Sequence, residues 1–345
     1  MDGLDLHFSP RRADLLARLA AERSSLLQQL EGLDENNLTQ DPVIEGWTFP
    51  SLLAHLAYWD AFAADRLAKV ADGRPGEIQP LTKADSVASR NEAMRAQFAG
   101  IGFQQALALA QKERRNLLLA LDRLDEHTLE RPVRLRSGRR TTPGVWSRWS
   151  HRHDAEHAAD IARWRANYPP NDPSIRVIHR SLLRPIISLA RQELLAIAAV
   201  IPAAERETRP VEGTWTIKQV LGHLSDYERL GVLALRQLAT GREPAYERTI
   251  AAFEAFNAER GAAWAAMPWA EVYAHFVATH RALVEVAGAL DDEALARPFP
   301  SPWLTTTTAC GYLLDMAGHD QEHADSLRRT LGLPALPHRL GRQRG

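Results

Sequence analysis

His153-Asp154-Ala155-Glu156-His157 and His319-Asp320-Gln321-Glu322-His323 lie 166 residues apart in a chain of 345. The likeness extends outward from both. Pro42-Val43-Ile44-Glu45-Gly46-Trp47-Thr48 matches Pro210-Val211-Glu212-Gly213-Thr214-Trp215-Thr216 at an offset of 168, and Leu53, His55 and Leu56 fall on Leu221, His223 and Leu224. Leu124-Asp125, Arg131-Pro132 and Thr141-Thr142 match Leu290-Asp291, Arg297-Pro298 and Thr307-Thr308 at 166. Blocks that keep this order and spacing mark a tandem duplication of one domain. The copies run over 4–168 and 174–331. Between them Asn167 to Pro173 holds Pro169, Pro170 and Pro173, which no helix crosses. The tail, 332–345, has no apolar period and reads as disordered.

Apolar residues recur at helical spacing in each copy. Leu15, Leu16, Leu19, Leu26, Leu30 and Leu33 mark a first helix. Thr48 caps a second, with Pro50 in its first turn and Leu52, Leu53, Leu56, Trp59, Ala63 and Leu67 on one face; it stops near Gly73 to Gly76. Leu107, Leu117, Leu121 and Leu124 mark a third helix after a break at Gly100-Ile101-Gly102. Thr142-Pro143 opens a fourth, through Trp146, Trp149, His153, His157, Ile161 and Trp164. No alternating apolar–polar run is sustained. The fold class is therefore all-α: two tandem four-helix bundles, with at least one crossover spanning the long gap between the second and third helices.

Composition narrows the function. Lys and Arg total 42 against 43 Asp and Glu, a formal charge of −1, which excludes a basic nucleic-acid footprint across the chain. No run reaches the ~18 apolar residues of a membrane span. One cysteine, Cys310, excludes a disulfide framework and a thiolate zinc knuckle and fits a reducing compartment. The N-terminal MDGLDLHFSPRR holds no apolar stretch of signal-peptide type. A cytoplasmic protein is expected.

His153 and His157, four apart, share one helix face, and His55 sits mid-face on the second helix. The second copy repeats the set as His223, His319 and His323. The chain has 13 histidines; these six fall at repeat-equivalent places and the other seven do not. Each trio reads as a three-imidazole centre for one divalent ion, open to water or substrate because structural zinc is closed by four protein ligands. Zinc is the default metal by availability, with nickel next.

Neighbours of these ligands differ between copies. Trp149, one turn before His153, is Asp315 in the second copy; Trp146 becomes Tyr312, and Trp59 becomes Tyr227. Asp315 is the candidate catalytic residue, as a base or a fourth ligand. Asp154, Glu156, Asp320 and Glu322 point off the histidine face, as imidazole-orienting or solvated charges, and Asp60 and Glu228 are ambiguous in the same way. Cys310 reads as a small buried residue. Arg134, Arg136, Arg139 and Arg140 form a basic loop able to attract an anion, or simply a solvated one.

G-W-T-x-x-x-L-L-x-H-L-x-x-W-D (Gly46 to Asp60), T-W-T-I-K-Q-V-L-G-H-L (Thr214 to Leu224) and the two H-D-x-E-H blocks resemble the DinB/YfiT-like superfamily over nearly the whole chain. The resemblance implies a four-helix bundle with a long crossover and metal triads on His55, His153, His157 and on His223, His319, His323. It also implies dimers, here as a covalent pseudo-dimer in a monomer or as a homodimer. Characterised relatives include S-transferases and maleylpyruvate isomerases that depend on a thiol, mycothiol or bacillithiol, and a hydrolase of an electrophilic genotoxin. The expected activity is a metal-dependent S-transferase joining a low-molecular-weight thiol to a small-molecule electrophile. The alternatives are a metal-dependent hydrolase and a metal-stabilised scaffold or sequestration protein.

Overall fold

The computed structural model describes residues 8–44, 46–82, 85–168, 176–246 and 248–336. Thirteen α-helices dominate the described residues, and the strands are four two-stranded antiparallel ladders of two or three residues each. The chain forms two compact units, residues 25–169 and residues 1–24 with 170–345.

α1 (Pro10–Gln28) carries that division within it. Its apolar residues do not keep to one stripe: Ala13, Leu16, Ala17, Leu19, Ala20 and Ala21 are all at most 1% exposed. A helix buried around much of its circumference packs on more than one neighbour, and the leucine spacing alone does not name them.

In the unit of residues 25–169, α2 (Glu35–Gln40) starts on Asp34, whose carboxylate accepts from Asn37 N at 2.8 Å. β1 (Pro42–Ile44) pairs with β2 (Trp47–Thr48), turning through Gly46 at φ 81°. This hairpin delivers the chain to α3 (Phe49–Ala71), with Pro50 in its first turn as expected; Thr48 is the N-cap but makes no side-chain cap bond. α3 ends before Gly73. A short α4 (Val87–Gln97), missed by the four-helix reading, precedes α5 (Phe103–Asp122), the main neighbour of α3. α6 (Glu126–Glu130), capped by Asp125, and the hairpin of β3 (Val133–Arg134) and β4 (Arg140–Thr141) lead into α7 (Gly144–Arg165), which also packs on α3.

The second copy repeats this series. α8 (Arg180–Ala198) is followed by β5 (Pro210–Glu212), β6 (Trp215–Thr216), α9 (Ile217–Leu238), α10 (Phe253–Ala266), α11 (Trp269–Ala289), α12 (Asp292–Ala296), β7 (Pro298–Pro300), β8 (Thr306–Thr308) and α13 (Ala309–Thr330). α8 packs on α13 and α11, and α9 packs on α11 and α13, so α8 and α9 face each other across the bundle diagonal. The step across the bundle is therefore the α8–α9 link. The long α9–α11 segment joins helices that pack side by side, and its α10 lies against α9. Within this unit Phe8 N donates to Ala199 O at 2.9 Å, and Arg328, 1% exposed, pairs with Asp14 of α1 at 2.5 Å. Of the tail, residues 332–336 are held: Arg18 and Arg328 each donate to Pro334 O at 3.1 Å and Leu336 is buried. The seam at 169–173 and the end at 337–345 lie outside the described residues.

Candidate metal centres

α3 contributes His55, and α7 contributes His153 and His157. Their Nε2 atoms converge: His153 Nε2 is 2.9 Å from that of His55 and 3.0 Å from that of His157. α9 and α13 do the same with His223, His319 and His323, at 2.9 Å and 3.1 Å. In each trio the ligand atoms lie within 4.8 Å of one another. All six residues named from the sequence thus meet in two groups of three.

This convergence fits a cation. Two imidazole nitrogens each ~2.1 Å from one ion lie about 3.0 Å apart at a right angle and about 3.4 Å apart at a tetrahedral one, so the trios are within a small opening of a zinc geometry. Tautomers agree: His157 Nδ1 is 3.0 Å from Asp160 Oδ2, and His323 Nδ1 is 2.7 Å from Glu212 Oε2. A ring donating Nδ1–H to a carboxylate presents a bare lone pair at Nε2. One ring in each trio is fixed this way, and its lone pair, crowded against two other ring nitrogens, is relieved by a positive charge among them. Burial pushes His55 and His223 down to about 3, so both stay neutral, the form a metal-binding imidazole takes.

The supporting carboxylates were not legible as such, and they differ between copies. Glu212 stands in β5 where the first copy has Ile44, and Asp160 stands where the second has Ser326. Each copy found its own partner for the last histidine. The Asp and Glu inside the H-D-x-E-H blocks do other work. Asp154, fully buried, accepts from Arg114 Nη2 at 2.6 Å, and the same guanidinium holds Asp60 through Nε at 2.9 Å. In the second copy Arg191 of α8 bonds Asp320 at 2.8 Å and Glu228 at 2.7 Å, and His280 Nδ1 is 2.9 Å from the same Glu228 oxygen. Asp154 and Asp320 therefore tie helices together through arginine, while Glu156 and Glu322 are exposed. Glu228, His280 and Asp320 also lie within 4.8 Å of one another, but Arg191 already supplies their cation. Burial pushes the Glu228 carboxyl up, and Arg191 and His280 outweigh it and hold it low.

Aromatic surroundings set the copies apart. Trp149 stacks on His153 with centroids 5.0 Å apart and planes 17° from parallel, and joins a cluster with Trp47, Trp59 and Met94. In the second copy Tyr227 packs on His223 and His319 at 4.7 and 5.1 Å. A cavity of about 410 Å³ opens beside these two histidines, with Asn257, Asp315 and Glu322 among its lining. Asp315 lines it but stands outside the converging ligand set, so it is not placed as a fourth ligand; Arg176 Nη1 bonds its Oδ1 at 2.8 Å. Repeat comparison carried one further signal. Asn91 and Asn257, 166 residues apart, accept from Trp59 Nε1 at 3.2 Å and Tyr227 OH at 3.1 Å, each fixing the ring one turn past a ligand histidine. Cys310 is buried at 1% exposure in the first turn of α13, as expected.

The sequence profile of the DinB superfamily matches residues 18–161 and again residues 186–326. No curated protein and no solved structure matches the chain. No helix among the described residues is long and apolar enough to cross a membrane.

Proposed function

The chain belongs to the DinB superfamily, in two tandem copies, and from that premise we propose that it is a divalent-metal-dependent thiol S-transferase acting on small electrophiles, with its working centre in the second copy. The observation that carries this reading is the cavity at His223 and His319. Zinc is the favoured ion and nickel the next, on the neutral three-imidazole donor set. Bound by His223, His319 and His323, such an ion supplies Lewis acidity that lowers the pKa of a thiol or water at neutral pH.

The chain's own residues do the rest. Glu212 holds the His323 tautomer. Asn257 fixes the Tyr227 hydroxyl at the cavity wall. Asp315, with Arg176 against it, accepts the proton that the thiol gives up. Cys310 is buried, so the thiol enters as a small co-substrate. The single cysteine also fits work in the reducing cytoplasm. The scaffold reading suits the first copy better, because Trp149 stacks on the His153 ring there.

Conjugation of N-acetylcysteine, cysteine or coenzyme A to 1-chloro-2,4-dinitrobenzene tests the proposal. In this reaction the thiol sulfur bonds to the ring carbon and chloride leaves. Zinc-loaded protein is expected to accelerate it, His319→Ala to abolish the acceleration with an unchanged circular dichroism spectrum, and His153→Ala to retain it. Full activity in His319→Ala rejects the reading, and loss of electrophile without thiol favours the hydrolase.

A further inference from the structure

A second cavity, of about 380 Å³, lies in the first copy and has no histidine in its lining. Its walls include Trp59, Phe62, Trp146 and Trp149, and the charged groups lining it are Arg66 and Arg139, with no carboxylate. Arg66 is 8% exposed. It donates Nη1–H to Phe62 O at 3.1 Å and Nη2–H to Gln79 O at 2.9 Å, and its guanidinium sits 3.2 Å over the Phe62 ring. Two of its five N–H groups are thus used, both by neutral carbonyls, and among the described residues no carboxylate bonds it. Arg139, exposed on the β3–β4 hairpin, likewise has no carboxylate bonded to its guanidinium among the described residues. The nearby acids bond other cations, Asp85 with Arg90 at 2.5 Å and Asp65 with Lys69 at 2.8 Å, and reach Arg66 only through their field. A buried guanidinium without a counter-ion is costly, and a matching anion relieves that cost.

The duplication shows that the bundle does not require this cavity. The residues at the places of Arg66 and Arg139 are Ala234 and Thr305. Tyr312, at the place of Trp146, is fully buried and stacked on Trp303 at 5.4 Å. Apolar aromatic walls and two guanidinia with no carboxylate bonded to them among the described residues therefore occur together in one copy.

We infer that the first copy carries a binding site for an amphipathic organic anion, a carboxylate on an aromatic or other apolar body, held by Arg66 and Arg139 between Trp59, Phe62, Trp146 and Trp149. The site is independent of the transferase reading. A ligand here meets Trp149, whose ring also stacks on His153.

Isothermal titration of the full chain with 2-naphthoate, against neutral 2-naphthylmethanol, tests the site. The expected result is one naphthoate per chain, bound at least about tenfold more tightly than the alcohol, with the preference shrinking as salt rises. Arg66→Gln should weaken naphthoate about tenfold or more and Arg139→Ala severalfold, while His319→Ala leaves it unchanged. Should Arg66→Gln fail to fold, exposed Arg139→Ala decides alone. Equal affinity for acid and alcohol, naphthoate affinity unmoved by the arginine substitutions, or its loss in His319→Ala overturns the proposal.

Discussion

Trp149 and His153 lie ring against ring, 5.0 Å between centroids, one helical turn apart on α7. At the place of Trp149 the second copy has Asp315, bonded to Arg176 at the wall of an open cavity. One position thus separates an imidazole stacked on an indole from one that lines a cavity. Asp315→Trp should close the second centre: thiol conjugation falls by at least about a hundredfold while metal content stays unchanged. Stopped-flow rates and elemental analysis of the same preparation check this.

The arginine bridges make a stability prediction. Arg114 and its partners Asp60 and Asp154 are at most 3% exposed. Removing one member of such a set strands buried charge and costs about 3–5 kcal/mol. Arg114→Met should lower the urea midpoint accordingly, and adding Asp60→Asn and Asp154→Asn should recover most of the loss.

The two triads were legible because a four-residue spacing puts two imidazoles on one face and the duplication repeats the third at the same place. The helices were legible for the same kind of reason, in their periodic leucines. Arg114 and Arg191 were not, because each reaches its carboxylates across 37 to 129 residues of chain, and no local pattern marks a guanidinium as buried. The assignment of residues 1–24 to the unit of the second copy was equally hidden. An apolar helix announces that it will pack, and tertiary contacts choose the neighbour.

Asp160 and Glu212 each hold one histidine of a trio, His157 and His323. Asp160→Asn should weaken metal at the first centre, and Glu212→Gln at the second, by about 10- to 100-fold. Competition with a chromogenic chelator resolves two affinities in the native protein, and each substitution should shift only one.

Acid should destabilise the metal-stripped protein over a defined window. Histidine in the unfolded chain titrates near 6.5, whereas buried His55 and His223 titrate at about 3. Between these values the unfolded chain binds more protons, so stability is present above about pH 6.5 and falls on acidification, by about 1.4 kcal/mol per pH unit for each histidine. Urea unfolding of stripped protein at pH 4, 5, 6 and 7 measures the slope, and His55→Gln should flatten it.

Metal content per chain is the most direct measurement of all. Elemental analysis after loading with zinc or nickel and desalting should find two ions per chain, and one in either His153→Ala or His319→Ala. A chain that retains neither metal, or a content that both substitutions leave unmoved, contradicts the three-histidine centres.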